Sequence, residues 1–334
     1  MTHVSIIICV DVDPDGFNVP GVKFNKRKTK LSWQGLEKEV PRLIDFLNSL
    51  KDTEGDCANL SWFLRSDEQI NELYGDYGWL YNNYHHLWKI ILDRGDEIAW
   101  HPHFYRWFED KGSWNQETKD VDWMLTCLEN GFNRMRQLTG EAPSVRMGWG
   151  FHNNQTMTKL NDLGVETELS AVPGFKSEGK ILSGILCDCH DWSITPDEPY
   201  FPSKSDYRRP NKDRLEILEI PMTVSRDPLP YALFGMAVDN KFRSPPSKFH
   251  LTPIKDPKKF FLILKRQVRM IKHGEQKRHI GMYFHPTDML SKDALGIFKT
   301  NLSAIPELMK KEKVTYSFDC AKEAAVRIRK GLSI

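Results

Sequence analysis

Patterns typical of strands and of helices alternate along the whole chain. Residues 4–10 form an apolar run, mainly of β-branched side chains, that is typical of a strand buried on both faces. Residues 36–50 have the apolar spacing of an amphipathic helix, and residues 59–64 repeat the strand pattern. Chains with this order form a parallel sheet covered by helices. We therefore predict an α/β fold, a distorted (β/α) barrel of about seven parallel strands. No P-loop or Gly-x-Gly-x-x-Gly follows the first strand, which argues against an open nucleotide-binding sheet.

The later elements continue this alternation. Strands are predicted at residues 144–147, 165–170, 184–189, 216–220, 279–284 and 314–318. Helices are predicted at residues 79–92, 118–138, 260–273 and 293–308, the last broken by Pro306, with a closing helix up to Lys330. Residues 105–114 are predicted to be a loop rich in aromatic side chains. The alternation covers residues 1–334, so we expect a single domain with an irregular insertion at about 196–257.

The insertion is rich in Pro, Arg and Lys. Its basic residues could bind phosphate or carboxylate groups, or could form a solvated face: Arg208, Arg209, Lys212, Arg214, Arg226 and Arg243. The apolar residues 230–236 predict a lid or a subunit contact, through which the chain could form a homo-oligomer, and less strongly a loop that touches a membrane.

Composition and charge narrow the classes of partner. The chain is 40% apolar and 28% charged, with a formal net charge of +2, so nothing predicts nucleic-acid binding. Six scattered cysteines do not form a disulfide framework. The first apolar run is too short for a transmembrane segment and has no features of an export signal. We expect a cytoplasmic protein with reduced cysteines.

Two histidines lie two residues apart where the third predicted strand ends. A helix pattern ends at Gly95, and the strand pattern that follows leads into His101-Pro102-His103. Residues i and i+2 of a strand face the same side, so both imidazoles can point to one position. Two imidazoles are two of the three protein ligands of a catalytic metal site. The alternative is a pair of strand-end histidines without a ligand.

Charged side chains follow several of the predicted strands. Asp11 and Asp13 follow the first strand, Arg146 lies at the end of the short strand at 144–147, and His285 follows a late strand, with Asp288 placed to orient it. In a (β/α) barrel the active site lies at the carboxyl ends of the strands. We therefore expect these side chains to meet His101 and His103, although the acids could also cap a loop and Arg146 could form an ordinary salt bridge.

Segments at these positions resemble the motifs of the polysaccharide deacetylase family, the NodB-homology domain of carbohydrate esterase family 4. Asp11-Val12-Asp13 resembles the first motif, which implies that Asp11 is the general base and that Asp13 binds a divalent metal. Residues 95–101 resemble the start of the second motif, which implies that His101 is a metal ligand. The second histidine of that motif comes four residues later, where this chain has Tyr105, so His103 is the ligand we predict in its place.

Three further segments resemble the remaining motifs. Arg146-Met147-Gly148-Trp149-Gly150 resembles Arg-x-Pro-x-Gly, with Gly148 in place of the proline, and implies that Arg146 braces the base. Asp191-Trp192 resembles the fourth motif, which implies that Asp191 holds Arg146. His285-Pro286 resembles the fifth motif, whose histidine is the general acid. The residues expected to contact substrate are Trp149, Trp192 and Tyr105.

The resemblance implies metal-dependent hydrolysis of an amide. A divalent metal, usually zinc, would activate a water molecule, Asp11 would take its proton, and His285 would protonate the leaving amine. The implied substrate is an N-acetyl or N-formyl amino sugar, soluble or lipid-linked, on its way to a surface polysaccharide or lipopolysaccharide. Two alternatives remain. One is hydrolysis of a non-sugar cyclic amide or ureide, which the departure at Tyr105 suggests. The other is a barrel without catalysis that binds a glycan or a partner protein.

Overall fold

The structure is a computed structural model, and it describes residues 2–15, 27–177, 180–182, 185–187, 190–226, 248–274 and 279–331. Its strands are β1 (His3–Val12), β2 (Ser61–Leu64), β3 (Glu97–Trp100), β4 (Tyr105–Phe108), β5 (Ser113–Gln116), β6 (Thr167–Glu168), β7 (Lys180–Leu182), β8 (Ile185–Cys187), β9 (Leu218–Glu219), β10 (Val224–Arg226), β11 (Lys248–His250), β12 (His279–Phe284) and β13 (Thr315–Phe318). Its α-helices are α1 (Val40–Ser49), α2 (Glu68–Tyr74), α3 (Trp79–Asn83), α4 (His85–Asp93), α5 (Val121–Thr139), α6 (Asn154–Asp162), α7 (Pro257–Lys272), α8 (Ala294–Glu312) and α9 (Ala321–Gly331). A π-helical turn (Gly35–Glu39) precedes α1, and 3₁₀ turns lie at Gly148–Gly150 and Pro286–Leu290.

Strand β1 is the central member of a five-stranded parallel sheet. It pairs with β12 in a register that runs from Ser5–His279 to Val10–Phe284. It also pairs with β13 near its start and with β2 near its end, and β3 pairs with β2. The apolar residues of β1 are buried, as the continuous apolar run predicts.

Short pairings extend the parallel arrangement beyond β3. Trp100, the last residue of β3, forms a bridge with Val145, which forms a bridge with Glu168 in β6. Strand β6 pairs with β9, and the chain after β9 reaches β12 through a 2.9 Å hydrogen bond from the Thr223 amide to the Gly281 carbonyl. The protein therefore has a mixed α/β fold with a parallel sheet, which confirms the predicted class. In such a sheet the carboxyl ends of the strands lie on one side.

The two faces of β1 contribute to two apolar clusters. Ile6, Ile8 and Val10 belong to the large cluster that includes the apolar faces of the covering helices. Ile7 and Cys9 belong to a smaller cluster, which also contains one or more residues from β2, β3, β9 and α9. Because alternate residues of a strand face opposite sides, Asp11 and Asp13 continue the face that begins with Ile7 and Cys9.

Several predicted elements differ from the observed ones. The helix predicted at 79–92 is two helices, because the backbone leaves the helical conformation at Tyr84. The strand predicted at 144–147 is reduced to the bridge at Val145. Helix α8 continues through Pro306 to Glu312, since the burial of Ile305 and its neighbours outweighs the local cost of an internal proline, about 3 kcal/mol. The predicted aromatic loop contains the β4–β5 hairpin.

Part of the insertion lies within the described residues. The guanidinium of Arg208 pairs with Asp206 and Asp191, that of Arg209 pairs with Asp206, and that of Arg214 lies 5.1 Å from the centre of the Phe201 ring. The apolar segment 230–236, residue 243 and the side chain of residue 226 lie outside the described residues, as do the side chains of the strand predicted at 184–189. Among the described helices, none combines the length and the apolar character needed to cross a lipid bilayer.

Candidate active site

A cavity at the carboxyl ends of the parallel strands brings most of the predicted residues together. It is lined by eight of them: Asp11, Asp13, His101, His103, Arg146, Trp149, Trp192 and His285. The two acids lie at and just after the end of β1, the two histidines follow β3, Arg146 follows the bridge at Val145, and His285 follows β12. The face that carries Ile7 and Cys9 on β1 leads to the two acids, and the face that carries Ala99 on β3 leads to the two histidines.

Asp13, His101 and His103 form a buried group whose ligand atoms all lie within 4.8 Å of one another. The Nε2 atoms of the two histidines are 3.1 Å apart, and they lie 3.5 Å and 3.3 Å from the Asp13 carboxylate. Nδ1 of His101 lies 2.6 Å from the carbonyl oxygen of Arg146, which fixes a proton on Nδ1 and leaves the Nε2 lone pair directed at the group. Two imidazoles and one carboxylate are a donor set that suits zinc.

The ring of His103 contacts two neighbours. It stacks on Tyr105, with ring centroids 4.9 Å apart and an angle of 8° between the planes. It also lies against Gly148 so closely that a Cβ at this position would collide with the ring. Burial and the charge of Arg65 lower the pKa of His103 to about 4, so the ring is neutral at pH 7, as a metal ligand must be.

Arg65 completes this group and was not predicted from the sequence. Its buried guanidinium donates from Nη1 to Oδ1 of Asp13 over 3.1 Å. The same guanidinium binds both oxygens of Asp67 and donates to Gln69 over 3.0 Å. Arg65 directly follows β2, so the rule that identified the other strand-end residues also applies to it.

Asp11 pairs with Arg146 next to the three-residue group. Nε of Arg146 donates to Oδ2 of Asp11 over 2.8 Å, and Nη1 donates to the carbonyl of Leu169. The guanidinium also lies over the ring of Tyr283, 3.9 Å from its centre. The other carboxylate oxygen of Asp11 is buried and has no hydrogen-bond partner in the described part of the chain. This arrangement leaves one carboxylate oxygen of Asp11 free to accept a proton.

His285 lies opposite both carboxylates. Its Nε2 is 3.9 Å from Oδ2 of Asp11 and 3.7 Å from Oδ2 of Asp13. Its Nδ1 lies 3.0 Å from Oδ2 of Asp288, which also accepts the backbone N–H of His285. Burial alone would lower the pKa of His285, but the hydrogen bond and charge of Asp288 raise it to about 9. At neutral pH the His285 ring is therefore protonated on both nitrogens and positively charged.

Two predicted residues lie outside the cavity lining. The prediction that Asp191 holds Arg146 is wrong, because the Asp191 carboxylate binds Arg208 of the insertion at 2.8 Å and lies 3.6 Å from Lys176. Arg146 instead binds Asp11 and a backbone carbonyl. Tyr105 lies behind His103, and its hydroxyl accepts a hydrogen bond from the Trp149 indole.

Trp192 of the fourth segment does line the cavity, and its indole donates to the Gly150 carbonyl over 2.9 Å. Other lining residues were missed: His190, His250, Phe175 and Tyr283. The ring of His250 stacks on Tyr283 with centroids 5.0 Å apart, and Nδ1 of His190 lies 3.0 Å from the Trp149 carbonyl. Tyr283 could have been predicted, since it precedes His285 by two residues on the same strand and so shares its face.

A second buried polar group lies behind the cavity. Glu168 lies 3.3 Å from Nε2 of His152, and it accepts hydrogen bonds from the amide and hydroxyl of Ser170, which lines the cavity. Burial and the neighbouring charge of Glu168 raise the pKa of Glu219 well above its usual value. Burial alone would raise the pKa of Glu168, but hydrogen bonds and the charge of His152 lower it to about 2. As the pH falls from alkaline values, Glu219 therefore takes up a proton before Glu168 does.

Comparisons with known proteins show the fold. No protein-family model matches the chain, and no curated protein matches it in sequence. Among solved structures, the chain is similar to a probable polysaccharide deacetylase from Pseudomonas aeruginosa PAO1, with a TM-score of 0.52 and 11% identity over 98% of this chain and 90% of that one. It is also similar to the PuuE allantoinase, with a TM-score of 0.50 and 12% identity over 97% of this chain and 88% of that one. The chain therefore shares its fold with these proteins, and the predicted α/β class agrees with them.

Proposed function

We propose that the protein is a metal-dependent hydrolase that removes an N-acetyl or N-formyl group from an amino sugar or sugar precursor. The single observation that carries this proposal is one cavity that joins the Asp13–His101–His103 group to Asp11, which pairs with Arg146, and to a protonated His285. Each of these groups has a separate task in amide hydrolysis.

The residues divide the proposed reaction as follows. Asp13, His101 and His103 would hold the metal, which when bound lowers the pKa of a water molecule and polarises the acyl oxygen. Asp11 would accept a proton on its free oxygen, while the hydrogen bond from Arg146 holds that carboxylate in place. His285 would donate its proton to the leaving amine.

We propose zinc as the metal. Buried nitrogen donors and a single carboxylate suit zinc, whereas magnesium and calcium favour sites made of oxygen ligands. We also propose that the sheet closes into the distorted (β/α) barrel predicted from the sequence. The hydrogen bond between Thr223 and Gly281 supports closure, as does the position of the charged residues at the strand ends.

The proposed substrate class rests on the walls of the cavity. Trp149, Trp192 and Tyr283 present aromatic rings beside the reactive groups, and aromatic faces suit the apolar faces of sugar rings. The structural likeness to a probable polysaccharide deacetylase agrees with an acylated sugar. A soluble or lipid-linked precursor of a surface polysaccharide belongs to this class.

The second candidate is hydrolysis of a cyclic amide or ureide. It is favoured by the absence of a histidine at position 105 and by the similarity of the fold to an allantoinase. A substrate panel separates the two functions: N-acetyl and N-formyl amino sugars on one side, and cyclic imides, hydantoins and allantoin on the other. Activity confined to the cyclic compounds would replace the sugar proposal.

The proposal is tested with protein purified without chelators. We expect about one equivalent of divalent metal per chain and hydrolysis of at least one acylated amino sugar. Asp11→Asn should reduce turnover by at least about 10³-fold and should still bind the metal. Asp13→Asn should lose both the turnover and the bound metal. Asp76→Asn, which alters a partner of Arg134 far from the cavity, is the control. Only a trace of metal, or full biological activity in Asp11→Asn, would favour the alternative of a barrel without catalysis.

A further inference from the structure

Arg65 contacts the proposed metal-binding group by several routes. Its side chain is fully buried directly after β2 and donates to Oδ1 of Asp13 over 3.1 Å. The same guanidinium binds Asp67, whose Oδ2 accepts the backbone N–H of His103 over 3.2 Å. It also lies over the ring of Tyr105, 5.4 Å from its centre, and this ring stacks on His103. One buried cation therefore fixes two of the three proposed ligands.

The positive charge of Arg65 has a cost beside a metal-binding carboxylate, so its presence there needs a compensating benefit. A fixed positive charge beside a carboxylate that binds a metal weakens the attraction of that site for a second cation. A neutral donor would orient Asp13 without this cost. The benefit of arginine is geometric, because its planar fork reaches Asp13, Asp67 and Gln69 at the same time. The ammonium of a lysine has all its donors on one nitrogen, so it cannot reach acceptors that are spread along the guanidinium of an arginine.

The same contacts account for two departures from the family pattern. At position 105 a tyrosine replaces the second histidine, and at position 148 a glycine replaces the proline. His103 contacts both of these residues, with its ring stacked on Tyr105 and lying against Gly148. The two substitutions therefore belong together, since one supports the ring and the other makes room for it.

We propose that Arg65 is a positioning residue for a divalent cation, and that it acts with Tyr105 to make the His101-x-His103 spacing a working ligand set. This inference rests on the metal site of the proposed function. It assigns to Tyr105 a role in holding His103, in place of the contact with substrate that the sequence suggested. The cation is of the class that accepts two imidazoles and a carboxylate, such as zinc or cobalt.

The test measures metal affinity and not turnover. Metal-free protein is titrated with zinc in competition with a chromophoric chelator, and the absorption spectrum of the cobalt(II) form reports the ligand geometry. We expect Arg65→Lys to weaken zinc binding by about 10- to 100-fold and to alter the cobalt spectrum. Tyr105→Phe keeps the ring and should bind zinc within about twofold of the wild type, whereas Tyr105→Leu should bind it about tenfold more weakly.

The matched control is Arg134→Lys. Arg134 forms a two-bond pair with Asp76 like the pair of Arg65 with Asp67, but it lies outside the cavity. This variant should bind zinc as the wild type does. If Arg65→Lys does not fold, Tyr105→Leu carries the test, because it leaves the buried charge in place.

Each outcome decides between the two proposals. Unchanged zinc affinity and an unchanged cobalt spectrum in folded Arg65→Lys, or unchanged affinity in Tyr105→Leu when Arg65→Lys is unfolded, would overturn the inference and leave the proposed function intact. A wild-type protein that binds neither zinc nor cobalt would overturn the proposed function, and the inference with it.

Discussion

The contact between Gly148 and His103 yields a sharp prediction for Gly148→Ala. Gly148 does not have a positive φ, so the backbone accepts alanine and the effect is purely steric. The added Cβ would meet the His103 ring, which must retreat by about 1 Å to reach ordinary contact. Its movement is restricted, because the ring already stacks on Tyr105 with centroids 4.9 Å apart. The ring must turn, and Nε2 then leaves the group that it forms with Asp13 and His101.

The expected magnitude follows from this geometry. Overpacking a well-filled site costs about 1–3 kcal/mol, which an α/β chain of this size tolerates with a small fall in unfolding temperature. Loss of one of three ligands should weaken zinc binding by at least about 10²-fold, or about 2.7 kcal/mol. Gly148→Ala should therefore remain folded by circular dichroism and fail to retain zinc in a chelator competition.

The control is Gly296→Ala in α8, where a Cβ has no neighbour within 4 Å. This variant should bind zinc normally and should be stabilised by roughly 0.5–1 kcal/mol, because alanine favours a helix. If Gly148→Ala binds zinc within about threefold of the wild type, His103 is not a ligand and the reasoning fails.

Two further predictions concern buried ionisable groups. In the metal-free protein, an NMR titration should give His285 a pKa near 9. Asp288→Asn should lower this pKa toward or below 6.5. At pH 8 that change reduces the protonated fraction of His285 about 30-fold. Because the folded pKa of Glu219 is raised, folding stability falls as the pH rises above about 4.5, and Glu219→Gln should remove this loss and raise the unfolding temperature at pH 8. Glu168→Gln should instead destabilise the protein, by about 3–5 kcal/mol, since it removes the buried partner of His152.

The first of these predictions has a control in a nearby part of the sequence, and the second has an expected pH dependence. Asp293→Asn changes an exposed acid that makes no side-chain cap for α8, so it should leave the titration of His285 unchanged. The contribution of Glu168 has the opposite sign to that of Glu219: it is present above pH 4.5 and disappears as the pH falls through about 2. Equal unfolding temperatures for Glu168→Gln and the wild type at pH 7 would contradict this account.

Local pattern predicted the parts of the site that depend on strand direction. Asp11, Asp13, His101 and His103 were found because a buried strand that ends in polar residues is recognisable in sequence, and alternation gives the shared face. Arg65 obeys the same rule after β2 and was overlooked. The partner of Asp191 could not be predicted in this way, because Arg208 lies in an insertion without a periodic pattern and meets it only through tertiary structure.

In the rest of the fold, too, local pattern predicts some elements and tertiary packing determines others. Strand β12 was predicted with its observed bounds, because its sequence and its burial agree. Pro306 predicts a break that α8 does not have, since the packing of this helix determines its length more than the local preference of one residue does. The β4–β5 hairpin was missed because its aromatic residues pair across strands: Trp107 and Trp114 are 5.9 Å apart.

The position of β1 has a consequence for biosynthesis. Val10 pairs with Phe284, so the ribosome must add 274 residues after one partner before the other exists. At about 5–20 residues per second this takes roughly 14–55 s, during which an apolar strand lacks both β12 and β13 as neighbours. Such a chain depends on chaperones or on fast early pairing with β2 to avoid aggregation, and Asp11 and Asp13 acquire His285 as a neighbour only after this delay.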